Sequence, residues 1–410
     1  MKILFLTPYL PYPLNNGGLI RVYHLLVNIA SRHSVTLLCM EPDNDEQRSG
    51  INILKNKDIE VQTVPVAINQ KKQFKRVYQL VSLVSSKPYQ YQQYYSAAMQ
   101  KAIDDRLTRH SYDTLMVEFS QMGYYRFNSP IPMYVDQHNV EYEIMKRTYE
   151  TENNFLRKLL ASSEYRKYKK QEIENCLKFD SCLTTSARDA EILKEQAPSI
   201  AYHVIPNGVD SEFFKPVSTP AHPSVVNKPP VVLFTGTISY YPNTEGIIWF
   251  HRNVWPLLKE KQPDATLCIA GKGPPTEIRQ LAADDGSITV TGAVDDMRDY
   301  YAEATVVIVP LRVGGGTRLK ILEGMAMGKA IVSTTVGAEG ISHTDGKDIL
   351  LRDTPKEFCE AVSELINDRD RRALMEAAGR TLVETQYDWK AVVSKLCDIF
   401  DAEKSQEIDS

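Results

Sequence analysis

The chain has 410 residues, 43% hydrophobic and 24% charged, with a formal net charge of −4 at pH 7. This is the balance of an ordinary globular protein with apolar material for two buried sheets, and it excludes a disordered or nucleic-acid-binding composition. Residues 1–216 carry 27 Lys/Arg against 24 Asp/Glu, which leaves 21 against 28 for the rest, so the first half is mildly basic. Six cysteines stand without a CxxC pair and without His at metal-ligand spacing, which argues against a disulfide framework or a zinc site.

The opening "MKILFLTPYLPYP" reads as a first buried strand. Its apolar part is too short for a signal peptide, prolines interrupt it and no small-residue cleavage site follows. No run of eighteen apolar residues occurs, so no membrane-spanning helix is expected, and the expected location is the cytoplasm.

Short Val/Ile/Leu-rich runs alternate with longer helical patterns, the signature of parallel sheets covered by helices. Strands are expected at 2–7, 34–40, 59–65, 113–119, 133–137, 181–186 and 201–206, and in a second series at 230–236, 265–271, 288–292, 304–310, 330–335 and 348–352. Between the series, "NGVDSEFFKPVSTPAHPSVVNKPP" is rich in Pro, Ser and Asn and lacks periodicity, as a linker does. The fold class is therefore α/β, with two doubly wound Rossmann-like domains, 1–206 and 207–388. A ligand is expected in a cleft facing the carboxyl ends of both sheets.

Five segments are candidates for chemistry. "TPYLPYPLNNGGLIRVYHLL" places Gly17 and Gly18 before a helical pattern that includes Arg21, without the GxGxxG spacing of a nicotinamide site. "VDQHNVEYE" ends a strand on Asp136, His138, Asn139 and Glu141. His138 suits a sugar hydroxyl or a developing charge, and Asn139 suits a helix cap; a lone structural His is the plain alternative. "VPLRVGGGTRLKILEGMAMGKAIV" reads as strand, glycine loop and helix beginning near Thr317. There Gly314, Gly315 and Gly316 admit an anion to the helix amides, Arg318 and Lys320 add mobile positive charge, and Glu323 is placed to accept from sugar or ribose hydroxyls. A tight turn with a solvated charged face is the alternative. Finally, residues 71–80 and 146–170 interleave Lys and Arg with aromatic and aliphatic side chains, a face suited to an anionic membrane surface or simply to water.

Two DxD-like pairs, Asp43 with Asp45 and Asp368 with Asp370, lie in polar segments and read as solvated turns rather than metal ligands. A serine nucleophile elbow, HExxH and a P-loop are all absent from the sequence.

The glycine pair after the first strand, "VIPNGVDSEFF" at the junction and "GGGTRLKILEGMAMGKAIVSTTVGAEGI" together resemble the family-4 retaining glycosyltransferases of the GT-B fold, in a bacterial polysaccharide-type subgroup. The resemblance implies transfer of a sugar from a nucleotide diphosphate sugar, expected to be a UDP-sugar, to a glycan or lipid-linked glycan acceptor in surface polysaccharide assembly. It also implies that no metal or other cofactor is needed; with the basic and aromatic segments, the expected location is the cytoplasm, including a peripheral position at the inner membrane face. The N-terminal domain would serve the acceptor, the C-terminal domain the nucleotide sugar, and a helix at about 389–405 would pack back on the first domain. His138, Arg318 and Lys320 would act on the reacting groups. Gly17, Gly18, Gly236, Val294, Gly314, Gly315, Gly316, Thr317, Leu319 and Glu323 would hold the donor, Val294 at its base and Glu323 at its ribose.

Two positions depart from the family pattern. The first Glu of its Glu, seven residues, Glu motif falls on Gly315, and Thr237 and Pro242 stand where an Arg and a Lys usually hold the diphosphate; Arg318 and Lys320 are the expected replacements. A nucleotide-sugar epimerase of the same fold and a non-catalytic nucleotide-sugar-binding protein are the other readings.

Overall fold

The computed structural model describes residues 1–65, 82, 85–89, 94–152, 154–216, 228–314 and 316–408. Gly315 and the basic segment 71–80 fall outside the described residues. The chain divides into two compact units, Met1–Ile205 with Val393–Ser410, and Pro206–Val392. All thirteen expected strands form, each trimmed by no more than two residues at either end.

The first unit is built on a parallel seven-stranded sheet. In chain order its strands are β1 (Lys2–Leu6), β2 (Ser34–Met40), β3 (Ile59–Val64), β4 (Thr114–Glu118), β5 (Met133–Gln137), β6 (Ser181–Thr184) and β7 (Ala201–Val204). They lie in the order β3-β2-β1-β4-β5-β6-β7. Ile3, Leu4, Phe5 and Leu6 are all fully buried, as central strands covered by helices on both faces must be. From β1 the chain winds outward one way through β2 and β3, then restarts on the other side at β4. The connections leaving β1 and β4 therefore diverge, which opens a crevice at their carboxyl ends.

The helix Trp389–Ile408 ends in this unit. Its Phe400 ring meets Tyr134 at 4.7 Å, Lys404 Nζ donates to Asp113 at 2.9 Å, and Lys395 Nζ donates to the Val204 carbonyl at 3.1 Å.

The second unit repeats the plan with β8 (Val231–Thr235), β9 (Thr266–Ala270), β10 (Ile288–Gly292), β11 (Val306–Val309), β12 (Ile331–Ser333) and β13 (Leu350–Leu351). Their order is β10-β9-β8-β11-β12-β13, so the switch point lies between β8 and β11. Gly236 and Gly271 follow β8 and β9 with φ of 140° and 145°. A Cβ on Gly271 would stand 1.7 Å from the Gly236 carbonyl oxygen, so only glycine fits there. Part of the expected linker is ordered in this unit: Val209 bridges to Asp388, whose carboxylate accepts from Ser211 N at 3.2 Å and Ser211 Oγ at 2.6 Å.

Candidate functional site

In the second unit the loop after β11 runs to the helix Leu319–Ala326. Gly314 and Gly316 have φ of 116° and 77°, conformations open to glycine and costly for other residues. The helix starts at Leu319 with Arg318 as its N-cap, two residues later than expected, because the positive-φ glycines hold the chain out of the helical region. Arg318 is buried, and a Cβ on Gly314 would lie 2.8 Å from its Nη2; the missing side chain at 314 is what makes room for the guanidinium. Beside it the Thr317 hydroxyl is buried with no hydrogen-bond partner. The expectation that Arg318 and Lys320 are mobile cations is corrected: Arg318 is buried and Lys320 is held by a side-chain partner.

Lys320 is held most firmly. Its ammonium donates to Asn243 Oδ1 at 2.9 Å and sits 3.9 Å above the centre of the Phe234 ring. Asn243 is itself fixed, its amide donating to the Thr237 carbonyl at 2.8 Å. A Cβ on Gly236 would come within 3.0 Å of Lys320 Nζ, so this ammonium lies at the carboxyl end of β8, where Thr237 and Pro242 left the pattern without a cation. Burial, with the Arg318 charge adding to it against the weaker pull of Glu323, lowers the Lys320 pKa to about 7. Two basic side chains gathered at a switch point are an arrangement suited to an anion.

Glu323, one turn further along the helix, accepts from the Tyr301 hydroxyl at 3.0 Å, and Tyr301 is braced by Thr235 Oγ1 at 2.9 Å. Burial raises the Glu323 pKa, although Tyr301 and Lys320 favour the anion. Leu319, half-buried, packs against the core of this unit. Val294 follows edge strand β10, two strands from β8, which is roughly 10 Å across the sheet.

The N-terminal unit gathers a second group at its own switch point. The helix Gly17–Ala30 begins on Gly17, with Asn16 Oδ1 accepting from Leu19 N at 3.0 Å, and it carries Arg21 inward. Arg21 grips Asp136 with two hydrogen bonds, Nε to Oδ2 at 2.7 Å and Nη2 to Oδ1 at 2.8 Å. His138 Nε2 lies 2.7 Å from Glu118 Oε2 and 3.4 Å from Asp136 Oδ2. A Cβ on Gly18 would be 3.6 Å from His138 Nδ1, so the glycine pair and the histidine are neighbours. Phe119 packs on the imidazole with ring centroids 3.9 Å apart and the planes tilted by 35°, and it does so from a strained φ of 68°.

All four charged side chains are buried, His138 the least so at 9% exposure. Burial and the neighbouring Asp136 charge raise Glu118 to about 7. Burial opposes protonation of His138, but the hydrogen bonds and charges of Asp136 and Glu118 outweigh it and raise its pKa. Asp136 is held below the usual carboxylate range, Arg21 and His138 overcoming its burial. Glu118, Asp136 and His138 bring ligand-type atoms within 4.8 Å of one another. Asp136 has both oxygens on a guanidinium and His138 has Nε2 on Glu118, so the donor set fits an ion-pair network better than a metal.

Sequence reasoning passed over Glu118, Asn243 and Tyr301. Glu118 ends a mostly apolar strand, as Asp136 nearly does, and that shared signal would have found it. The cap expected of Asn139 is supplied instead by buried Glu172, which accepts from Glu141 N at 3.1 Å and Tyr142 N at 2.9 Å. Asp368 caps the helix Arg369–Leu382, accepting from Arg371 N at 2.9 Å.

Residues 229–368, which carry the glycine loop and both cations, match the family described as Glycosyl transferases group 1. That segment, about a third of the chain, is similar to the group 1 glycosyl transferases. The fold of the chain is the GT-B one: it superposes on sucrose-phosphate synthase from Thermosynechococcus elongatus with a TM-score of 0.71 over 99% of this chain and 100% of that one, at 15% identity. Anabaena HepE in complex with UDP gives 0.67 over 98% and 100%, at 14% identity.

By sequence, the chain is similar to a GDP-mannose-dependent alpha-(1-6)-phosphatidylinositol monomannoside mannosyltransferase of Mycobacterium tuberculosis. The two are 28% identical over 221 residues, 49% of this chain and 56% of that protein. A lipopolysaccharide 1,2-N-acetylglucosaminetransferase of Salmonella typhimurium is 24% identical over 224 residues, 49% and 57% of the two chains. The chain thus spans little more than half the length of the relatives it matches.

Proposed function

We propose that the protein is a retaining glycosyltransferase that binds the diphosphate of a nucleotide sugar at Arg318 and Lys320 and transfers the sugar to a glycan or lipid-linked glycan. The observation that carries this reading is the Lys320 ammonium, held by Asn243 at the end of β8, where it restores a cation that the local sequence had lost. As the bond to the sugar breaks, negative charge grows on the departing diphosphate, and cations already aimed at that place stabilise it without reorganising. The buried, unpartnered Thr317 hydroxyl is available as a further donor. Glu323, fixed through Tyr301, accepts from ribose hydroxyls. Loop amides replace the carboxylate missing at 315. Neutralisation by side chains makes a metal unnecessary, so chelation should leave transfer intact.

The donor proposed is a UDP-sugar, in keeping with the solved relative bound to UDP-glucose; GDP-mannose competes, being named for the mannosyltransferase relative. For the acceptor, the helix Phe155–Cys176 exposes Phe155 (73%), Leu159 (54%) and Leu160 (45%) beside exposed Arg157 and Arg166. That pairing suits peripheral contact with an anionic bilayer on the cytoplasmic side, where a lipid-linked acceptor would lie. No helix among the described residues is long and apolar enough to cross a membrane. Flotation with anionic vesicles should be lost in Phe155→Asp/Leu159→Asp; vesicle binding unchanged by that pair would remove the membrane part.

The deciding experiment is calorimetric titration with UDP, GDP and ADP and their sugars, followed by product analysis with and without acceptors. Binding of one nucleotide sugar with acceptor-dependent release of its nucleoside diphosphate supports the proposal. Release of nucleotide without acceptor would indicate an epimerase, and tight binding without turnover on any acceptor would indicate a non-catalytic binder.

A further inference from the structure

The N-terminal cluster holds a carboxylate that the roles above do not use. Glu118 is fully buried at the end of β4; its Oε2 meets His138 Nε2 at 2.7 Å, and its Oε1 is buried with no hydrogen-bond partner. A dry carboxylate with half of its acceptor capacity unused is costly as an isolated anion. Asp136, next to it, is already neutralised by Arg21. Glu118 and His138 are therefore left to hold one proton between them along the Nε2 to Oε2 line. The remaining ring nitrogen, Nδ1, faces the start of the helix Gly17–Ala30.

We propose that Glu118 is the positioning residue for His138: by accepting from Nε2 it fixes the ring and its tautomer, leaves Nδ1 to meet the substrate, and keeps the imidazole able to carry a second proton. The functional half of this assignment rests on the transferase reading; the Nε2–H to Oε2 half rests on geometry alone. The titratable and charged groups around His138 are Glu118 from β4, Asp136 from β5, Arg21 from the helix Gly17–Ala30, Tyr9 from the loop after β1 and Glu141 from the helix that follows. Asp136 is balanced by Arg21, and burial keeps Tyr9 and favours Glu141 in the neutral form. Asp136 and Glu118 both favour the protonated ring, and Glu118 is the one of the two that Arg21 does not grip. With the second proton, Nδ1–H donates to substrate; without it, Nδ1 accepts. Removing the Glu118 charge must therefore lower the pH at which His138 protonates.

The test uses the full chain labelled with 15N-histidine, the His138 signals among the eight histidines being assigned by their loss in His138→Asn. In the wild type the neutral ring should be the Nε2–H tautomer, with a midpoint above the ordinary value of about 6.5. In Glu118→Gln the midpoint should fall by about one to three units. Assayed above both midpoints, turnover that depends on the protonated ring should fall by up to about tenfold per unit of that shift, with donor KM little changed and partial recovery in Glu118→Asp. A wild-type Nδ1–H tautomer, or a midpoint unmoved in Glu118→Gln, overturns the assignment. If no sugar is transferred by either protein, the resonances still decide the positioning role, so its failure is distinct from failure of the transferase reading. If Glu118→Gln does not fold, the wild-type tautomer decides alone.

Discussion

Lys320 ties the anion site to a measurable pH dependence. Its ammonium is lowered to about 7 in the free protein by burial and by Arg318. A bound diphosphate supplies opposite charge at that place and raises the pKa again, so binding takes up a proton wherever the free ammonium is neutral. Affinity is then greatest below pH 7 and falls as the pH rises, approaching tenfold per unit. Between pH 6.5 and 8.5 the charged fraction of a group titrating at 7 drops roughly 25-fold, and the Kd should rise by that factor if the bound ammonium stays charged throughout. The assay is calorimetry with the intact nucleotide sugar, whose diphosphate does not titrate in this window. Lys320→Met should bind more weakly below pH 7 and show no slope. A wild-type Kd that is flat from 6.5 to 8.5, or a slope that survives in Lys320→Met, would refute the assignment of Lys320 to the diphosphate. The same buried charge also costs stability below its folded pKa, where it is protonated against a desolvated surround. Lys320→Met should accordingly unfold at higher denaturant than the wild type at pH 6, with the gap closing as the pH rises toward 10.

Three further outcomes follow from the geometry. Arg318→Ala should lower turnover by the equivalent of about 2.7 to 4 kcal/mol, the loss seen for a single preorganised oxyanion donor, while changing the unfolding midpoint far less; near-normal turnover in a steady-state assay would remove Arg318 from the reaction. Gly236→Ala brings a Cβ to 3.0 Å from Lys320 Nζ at a φ of 140°, and it should cost about 1 to 3 kcal/mol of stability and weaken donor binding together, as read by denaturant melts and calorimetry. Arg21→Met leaves Asp136 buried with only His138 beside it, which should destabilise the N-terminal unit by up to about 3 to 5 kcal/mol. Arg21→Met/Asp136→Leu should recover most of that loss in a melt, and a single substitution as harmless as the double would contradict the buried pair.

The sheets were legible because parallel strands covered on both faces are written as short apolar runs, and each run became a strand. Helix onset at the glycine loop was less legible: Gly314, Gly316 and Arg318 look like the first turn of a helix in one dimension, but their backbone angles delay it to Leu319. His138, Gly18, Lys320 and Gly236 were named from strand ends and motifs. What the sequence did not reveal is who holds whom. Lys320 and Asn243 are 77 positions apart, Arg21 and Asp136 are 115 apart, and Glu323 reaches Tyr301 from a different element. Local pattern carries no record of such pairings, since they arise only when the switch-point connections converge. The two cations looked mobile for the same reason: a Lys on a polar helix start and a Lys above a buried Phe ring are written with the same letter.

The most direct measurement is a crystal structure of the protein with UDP, or with whichever nucleoside diphosphate calorimetry selects. The account predicts phosphate oxygens at hydrogen-bond distance, about 3 Å, from Lys320 Nζ and the Arg318 guanidinium, beside the loop after β11. A nucleotide bound with its diphosphate away from both cations would contradict it.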